Sequence, residues 1–170
     1  PAMLIKNMLP AYFTALGTMS SAATIPVALQ ASKNNGVSDG IANFTVPLCA
    51  TIHLCGSTIT LVTCATAVMF LSEHLAIPGY GTMLPFIMML GVIMIAAPGA
   101  PGGGVMSALG LLTSMLGFGE ASIALMIALY LAQDSFGTAC NVTGDGVIAL
   151  WADRFAQSEA PLAAPERDAA

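Results

Sequence analysis

Two apolar stretches of this chain, residues 41–72 and 82–118, are too long for one passage through lipid and too interrupted to be single helices. As one straight helix the first would run roughly 48 Å, against a hydrocarbon core of about 30 Å. Its middle holds Thr51, His53, Cys55, Gly56, Ser57 and Thr58, so it reads as a broken span. The centre of the second is Ala97-Pro98-Gly99-Ala100-Pro101-Gly102-Gly103-Gly104. No continuous helix accommodates that run, because Pro lacks a donor and Gly loses the most backbone entropy on ordering. It reads as a re-entrant helical hairpin. Residues 1–35 hold two short apolar pieces around Gly17-Thr18-Met19-Ser20-Ser21, each below the about 20 residues a crossing needs, and form another such hairpin. Residues 121–152 are a last apolar stretch, interrupted by Asp134, Gly137, Asn141, Gly144, Asp145 and Gly146, and are predicted to be a second broken span with its break at 137–146.

Composition identifies the solvent. Only 8% of the residues are charged and 56% are hydrophobic, where soluble domains carry about 25% charge. Four Lys and Arg against nine Asp and Glu leave no basic surface for a phosphate backbone, which excludes nucleic acid as a partner. Cys49, Cys55, Cys64 and Cys140 lie inside apolar stretches without a C-x-x-C pair, so neither a disulfide framework nor a zinc site is expected. No signal peptide is visible at Pro1, and the chain is expected to be a piece of a longer protein. The tract from Lys33 to Gly40 reads as a membrane-surface loop, and residues 156–170, rich in Ala, Pro and Glu, as a disordered cytoplasmic tail.

Charge placement gives the topology. Lys6, Lys33, Arg154 and Arg167 share one side only if residues 82–118 re-enter rather than cross, and the positive-inside rule then makes that side cytoplasmic. The loops at Glu73-His74 and Gly119-Glu120 contain no Lys or Arg and face outward. The expected architecture is an all-α membrane protein: hairpin 1–35, broken helix 41–72, hairpin 82–118 and broken helix 121–152. The halves enter from opposite faces as an inverted repeat, a pattern that points to a transporter's binding site.

Asp134, Thr138, Asn141 and Asp145 stand at i, i+4, i+7 and i+11, within a helical stripe of about 60°. An Asp at the centre of a membrane helix costs about 2.5–3.5 kcal/mol on insertion scales, so two on one face must meet cations, donors or water. A hard cation such as Na⁺ takes a carboxylate plus backbone carbonyls, which breaks at 49–57 and 137–146 are expected to free. Half-helix N-termini at Ser20-Ser21 and Gly102-Gly103-Gly104 offer free N–H groups to a solute carboxylate. The plainer alternative is that Asp145 caps a half-helix. An aspartyl protease needs its two carboxylates within a few ångströms, and helical spacing puts these about 16 Å apart. Neither His53 nor His74 is tied by spacing to Ser21 or Ser57, so no enzyme is expected.

Four segments in order resemble the dicarboxylate/amino acid:cation symporter (glutamate transporter) family. Ser20-Ser21-Ala22-Ala23-Thr24-Ile25-Pro26 is similar to its serine-rich first hairpin tip, and the segment from Val46 to Ser57 to the one ending in its Asn-Met-Asp-Gly motif. Gly99-Ala100-Pro101-Gly102-Gly103-Gly104 is similar to its second hairpin tip, and the segment from Asp134 to Asp145 to its last helix. The resemblance implies an elevator-type transport core over residues 1–155 of a multi-pass protein of the inner (plasma) membrane. The first hairpin would be the inner gate and the second the outer. It also implies N-terminal scaffold helices and a homotrimer in the full-length protein. Asp134 would bind a substrate amino group and Asn141 its α-carboxylate, with Ser21, Ser57, Ala100, Gly104 and Thr138 completing the site. One Na⁺ would take the Asp145 carboxylate with carbonyls of Cys49, His53 and Asn141, and a second would take carbonyls near Thr51, Met94, Ile95 and Ala97.

Gly137 stands where acidic-substrate members carry Arg, and His53 and Cys55 stand where they carry Asn and Asp. The expected activity is therefore sodium-coupled symport of a small neutral amino acid with at most two Na⁺, or with a proton coupled through His53. Dicarboxylate or acidic amino acid symport, and a degenerate core acting as solute sensor or ion-conducting protein, are the alternatives. In a background without native cysteines, Gly119→Cys is expected to react with impermeant maleimide from outside; labelling from the cytoplasm alone would overturn the re-entrant topology.

Overall fold

Chain punctuation sets where the helices stop. The structure, a computed structural model, describes residues 2–159, and among these it contains seven helices and no strand. They are α1 (Ala2–Thr18), α2 (Ser21–Asn34), α3 (Asp39–Ile52), α4 (Cys55–Leu71), α5 (Tyr80–Met94), α6 (Gly103–Leu116) and α7 (Glu120–Glu159).

Helices α1 and α2 fold back on one another. At their open end Asn7 Nδ2 donates to the Asn34 carbonyl and to Asn35 Oδ1, and Asn35 Nδ2 donates to the Leu4 carbonyl. At the tip Met19 adopts φ 51°, and the Ser20 hydroxyl caps α2 by accepting from Ala23 N. Helices α3 and α4 are separated by His53 and Leu54, both non-helical, which gives the expected broken span. Helices α5 and α6 are joined through residues 95–102, with Gly102 at φ 73° immediately before α6. At the far end of α6, Gly117 at φ 70° closes the helix by donating to the Leu112 carbonyl.

The last span departs from expectation. Helix α7 is continuous over 40 residues, with no break at 137–146 and no stop at 152. Its glycines serve close approach instead. A Cβ at Gly56 of α4 would strike the Gly137 carbonyl oxygen and lie 2.7 Å from the Cys140 Cβ. One at Gly144 would lie 2.6 Å from the His53 ring, and one at Gly146 would lie 2.6 Å from the Met8 sulfur. Each Gly costs the helix about 1 kcal/mol of propensity, but in lipid an opened backbone has no water to bond, so the helix persists. The expected tail is corrected correspondingly: residues 156–159 belong to α7, and the remainder of 156–170 lies outside the described residues.

Two cores share this helix. Phe86, Leu90, Val105, Leu112, Leu61 and Val68 of α4–α6 pack around Met126 and Tyr130 in its first half. Met8, Ala15, Ala28 and Val46 of α1–α3 pack around Val142 and Ala149 in its second half. The hairpins thus approach from opposite ends of α7 and meet tip to tip, where the Ser20 hydroxyl and Ala22 N both donate to the Gly99 carbonyl. Phe13, Phe44, Ile59, Phe70, Leu84 and Phe136 are exposed, as an outer surface solvated by lipid requires. Residues 39–71 and 120–157 are long and apolar enough to cross a membrane.

Gly56→Ala is expected to lower stability by about 1–3 kcal/mol through overpacking against α7. Gly110→Ala, with open space around it, is expected to be neutral or mildly stabilising. Thermal unfolding in detergent compares the two.

Candidate functional site

The polar stripe of α7 faces the point where the hairpin tips and the α3–α4 break converge. All seven residues assigned to the solute from sequence line one cavity there: Ser21, Ser57, Ala100, Gly104, Asp134, Thr138 and Asn141. Met19, Leu54, Pro98, Gly99 and Tyr130 complete its wall. Tyr130 was not foreseen, although it lies one helical turn before Asp134 on the same stripe and was legible on that ground. Gly104 makes room for it: a Cβ there would lie 2.5 Å from the Tyr130 hydroxyl.

Asp134, Asn141 and Ser57 of the wall are already engaged. Asp134, 3% exposed, accepts at Oδ2 from Gly102 N at 2.8 Å, an N–H that precedes α6 and has no intrahelical acceptor. Asn141 Oδ1 accepts from Gly56 N at 2.8 Å and Ser57 N at 3.3 Å, and its Nδ2 donates to Ser57 Oγ at 2.8 Å. Leu54 provides no side-chain cap for α4, so Asn141 caps that helix from across the interface. The void between these groups is about 10 Å³, room for about one water.

The residues assigned to the first cation form a second cluster one turn further along α7. His53 Nδ1 lies 2.8 Å from Asp145 Oδ1. Asp145 is 1% exposed, and its Oδ2 has no hydrogen-bond partner. A buried carboxylate oxygen without a donor carries its full desolvation cost, which a hard cation or a proton would relieve. Cys49 is buried nearby, and its carbonyl accepts from His53 N at 2.8 Å. Because α7 is unbroken, the Asn141 carbonyl is not freed as expected; it lies inside a regular helix. For the cation the resemblance implies the His53 carbonyl, but it is the His53 side chain that touches Asp145.

The residues assigned to the second cation lie on two segments, the last turn of α3 and residues 94–97. The last turn of α3 leaves carbonyls at Ala50, Thr51 and Ile52 without intrahelical donors. The Ala50 oxygen would lie 2.7 Å from a Cβ at Gly99, so this turn abuts the 95–101 segment. Thr51 Oγ1 donates to the Leu48 carbonyl and is spent locally. In that segment Met94 and Ala97 are buried, Ile95 is exposed, and the Met94 carbonyl accepts from Ala97 N at 3.2 Å. Among the described residues no group of three His, Cys, Asp or Glu side chains is assembled for a metal, so oxygen ligation of a monovalent ion fits the donor set better than transition-metal binding.

Asn141→Ala is expected to cost about 1–3 kcal/mol by leaving the Gly56 and Ser57 N–H groups buried without an acceptor. Asn141→Asp retains an acceptor for both and is expected to recover part of that loss. Thermal unfolding of the two variants measures it.

The profile of the Sodium:dicarboxylate symporter family matches residues 1–155. Excitatory amino acid transporter 1 of Rattus norvegicus is 33% identical over 149 residues, covering 86% of this chain and 27% of that protein. Excitatory amino acid transporter 5 of Homo sapiens is 31% identical over 150 residues, covering 88% of this chain and 26% of the relative. An excitatory amino acid transporter of Caenorhabditis elegans is 30% identical over 152 residues, covering 86% and 29%. The chain therefore spans between a quarter and a third of the length of these relatives. With the family's match running through both hairpin tips, the α3–α4 break and the polar stripe of α7, the chain belongs to the sodium:dicarboxylate symporter family.

Proposed function

We propose that this chain is the transport core of a sodium-coupled symporter for a small neutral amino acid, and that it has no enzymatic role. One observation carries the choice of substrate: among the described residues Asp134 is the only charged one lining the cavity, and no Lys or Arg is among its walls. A zwitterion satisfies such a site. Its ammonium group pairs with Asp134, and its carboxylate takes N–H groups from the start of α2 at Ser21 and the Asn141 amide. A second carboxylate would face Asp134 with no guanidinium fork to answer it. Room for one is also lacking beside Gly137, where even a Cβ would lie 3.0 Å from Thr60 Oγ1 and 3.2 Å from Ser57 N. The hydroxyls of Ser57 and Thr138 suit a small polar side chain.

Bound Na⁺ supplies positive charge beside Asp145 and at the junction of α3 with the second tip. Asp145 and the carbonyl of Cys49 would hold the first ion, and the carbonyls around Thr51, Met94, Ile95 and Ala97 the second. With His53 and Cys55 in place of two oxygen-bearing side chains, two Na⁺ is the most this core takes, or fewer with a proton. The hairpins would be re-entrant gates in an elevator movement, carried by a lipid-embedded plasma-membrane homotrimer whose scaffold lies outside this chain. The names of the relatives favour a second reading, transport of excitatory amino acids, and the family's own name a third, transport of dicarboxylates.

Uptake into proteoliposomes containing the full-length protein separates these readings. Serine and alanine are expected to compete in a Na⁺-dependent manner. Strong inhibition by aspartate alone would overturn the neutral substrate, and solute binding without Na⁺-driven uptake would favour a sensor or an ion-conducting protein.

A further inference from the structure

The His53 side chain reaches Asp145 across 92 positions of sequence, and three features show that the contact is built rather than incidental. The ring stands at the α3–α4 break, where the backbone is non-helical and carries the side chain toward α7. Gly144 is what admits it, since a Cβ there would lie 2.6 Å from its Cε1. The contact is also selective: Nδ1 meets Oδ1 at 2.8 Å, while Oδ2 of the same buried carboxylate stays without a partner.

We propose that His53 is a positioning residue for the cation site: by donating from Nδ1 to Asp145 Oδ1 it fixes the carboxylate's rotation and leaves Oδ2 alone to ligate Na⁺, with Gly144 present to seat the ring. The inference rests on the sodium-coupled reading and deepens it. A carboxylate on a single Cβ–Cγ torsion turns readily, and a ligand fixed by an outer partner loses less freedom when the ion arrives. Losing such a partner costs about 10–100-fold in metal affinity at well-studied sites. The alternative role for this pair, a plain α3–α7 cross-link, would stabilise the fold equally with and without Na⁺.

The test uses full-length protein in detergent, with Na⁺ alone as the probe at constant ionic strength, choline replacing it. Thermal unfolding is followed as Na⁺ is titrated, giving a half-effective Na⁺ concentration and an unfolding temperature at zero Na⁺. His53→Ala and Gly144→Ala attack the contact from its two sides, and Gly144→Ala retains both polar side chains, so it carries the test if His53→Ala does not fold. Both are expected to raise the half-effective concentration about tenfold or more. His53→Asn, whose Nδ2 can take the place of Nδ1, is expected to return most of the way to wild type. Unchanged half-effective concentrations in His53→Ala and Gly144→Ala, with only the zero-Na⁺ temperature lowered, would make the pair a cross-link and overturn the proposal. His53→Asn as impaired as His53→Ala would also overturn it. A wild-type protein indifferent to Na⁺ would instead refute the sodium-coupled reading itself.

Discussion

A carboxylate placed inside a membrane protein must be answered by another part of the chain, and α7 carries three that are almost wholly buried: Asp134, Asp145 and Asp153. Each is answered by a different discontinuity. Asp134 takes the N–H that precedes α6, Asp145 takes the His53 ring at the α3–α4 break, and Asp153 takes the backbone and hydroxyl of Ser38 at the start of α3. Gln157 completes the last by donating to the other Asp153 oxygen. Asn141 adds a fourth anchor by capping α4. Places where the backbone leaves the helix expose N–H groups that lipid cannot satisfy, and α7 supplies the acceptors. The exposed Lys33–Asp39 pair holds nothing comparable, because water screens it.

This division explains what could be read from sequence. The interruption between α5 and α6 was legible because Pro98, Pro101 and Gly102 disfavour continuous helix whatever packs around them, and the one between α3 and α4 falls at His53 and Leu54, within the polar middle of residues 41–72. Three residues of the cavity wall, Asp134, Thr138 and Asn141, share one face by helical spacing alone, whereas Ser21, Ser57, Ala100 and Gly104 were assigned from the family resemblance and are brought there by tertiary structure. Tyr130 needed only one more turn of the same reasoning. The continuity of α7 was not legible, since a glycine inside an apolar run is consistent with a break or with a close approach. Only the positions of Gly56, His53 and Met8 show that Gly137, Gly144 and Gly146 are of the second kind. The His53–Asp145 contact was hidden for the same reason, because its two ends are distant in sequence.

The two families of anchor differ in permanence. Asn141 bonds two consecutive N–H groups and a hydroxyl, all within α4, whose first half packs on α7 through Gly56 and Gly137 with no room to spare. Asp134, by contrast, bonds a single N–H in a segment where Pro and Gly leave few backbone bonds to hold it. The second tip's other ties are the two donors it receives at the Gly99 carbonyl from the first tip. The region is therefore tied by more bonds and closer contacts along α4 and α7 than at the meeting of the tips, beside a void that has space for about one water.

On the proposed reading this arrangement couples occupancy to movement without a separate device. The Asp134 oxygen that receives Gly102 N–H is close to where a solute's ammonium would bind, and a carboxylate in a cavity this small cannot keep the tip in place while admitting the solute. Entry exchanges a neutral N–H for a charged donor, which is the stronger bond in a dry site. The freed Gly102 N–H then belongs to a helix start able to receive the solute's own carboxylate. The tip that closes the empty cavity would thus be rebuilt around its cargo from the same donors and acceptors. The energy of that exchange, set against the bonds to Gly99, would determine how readily the cavity opens and closes.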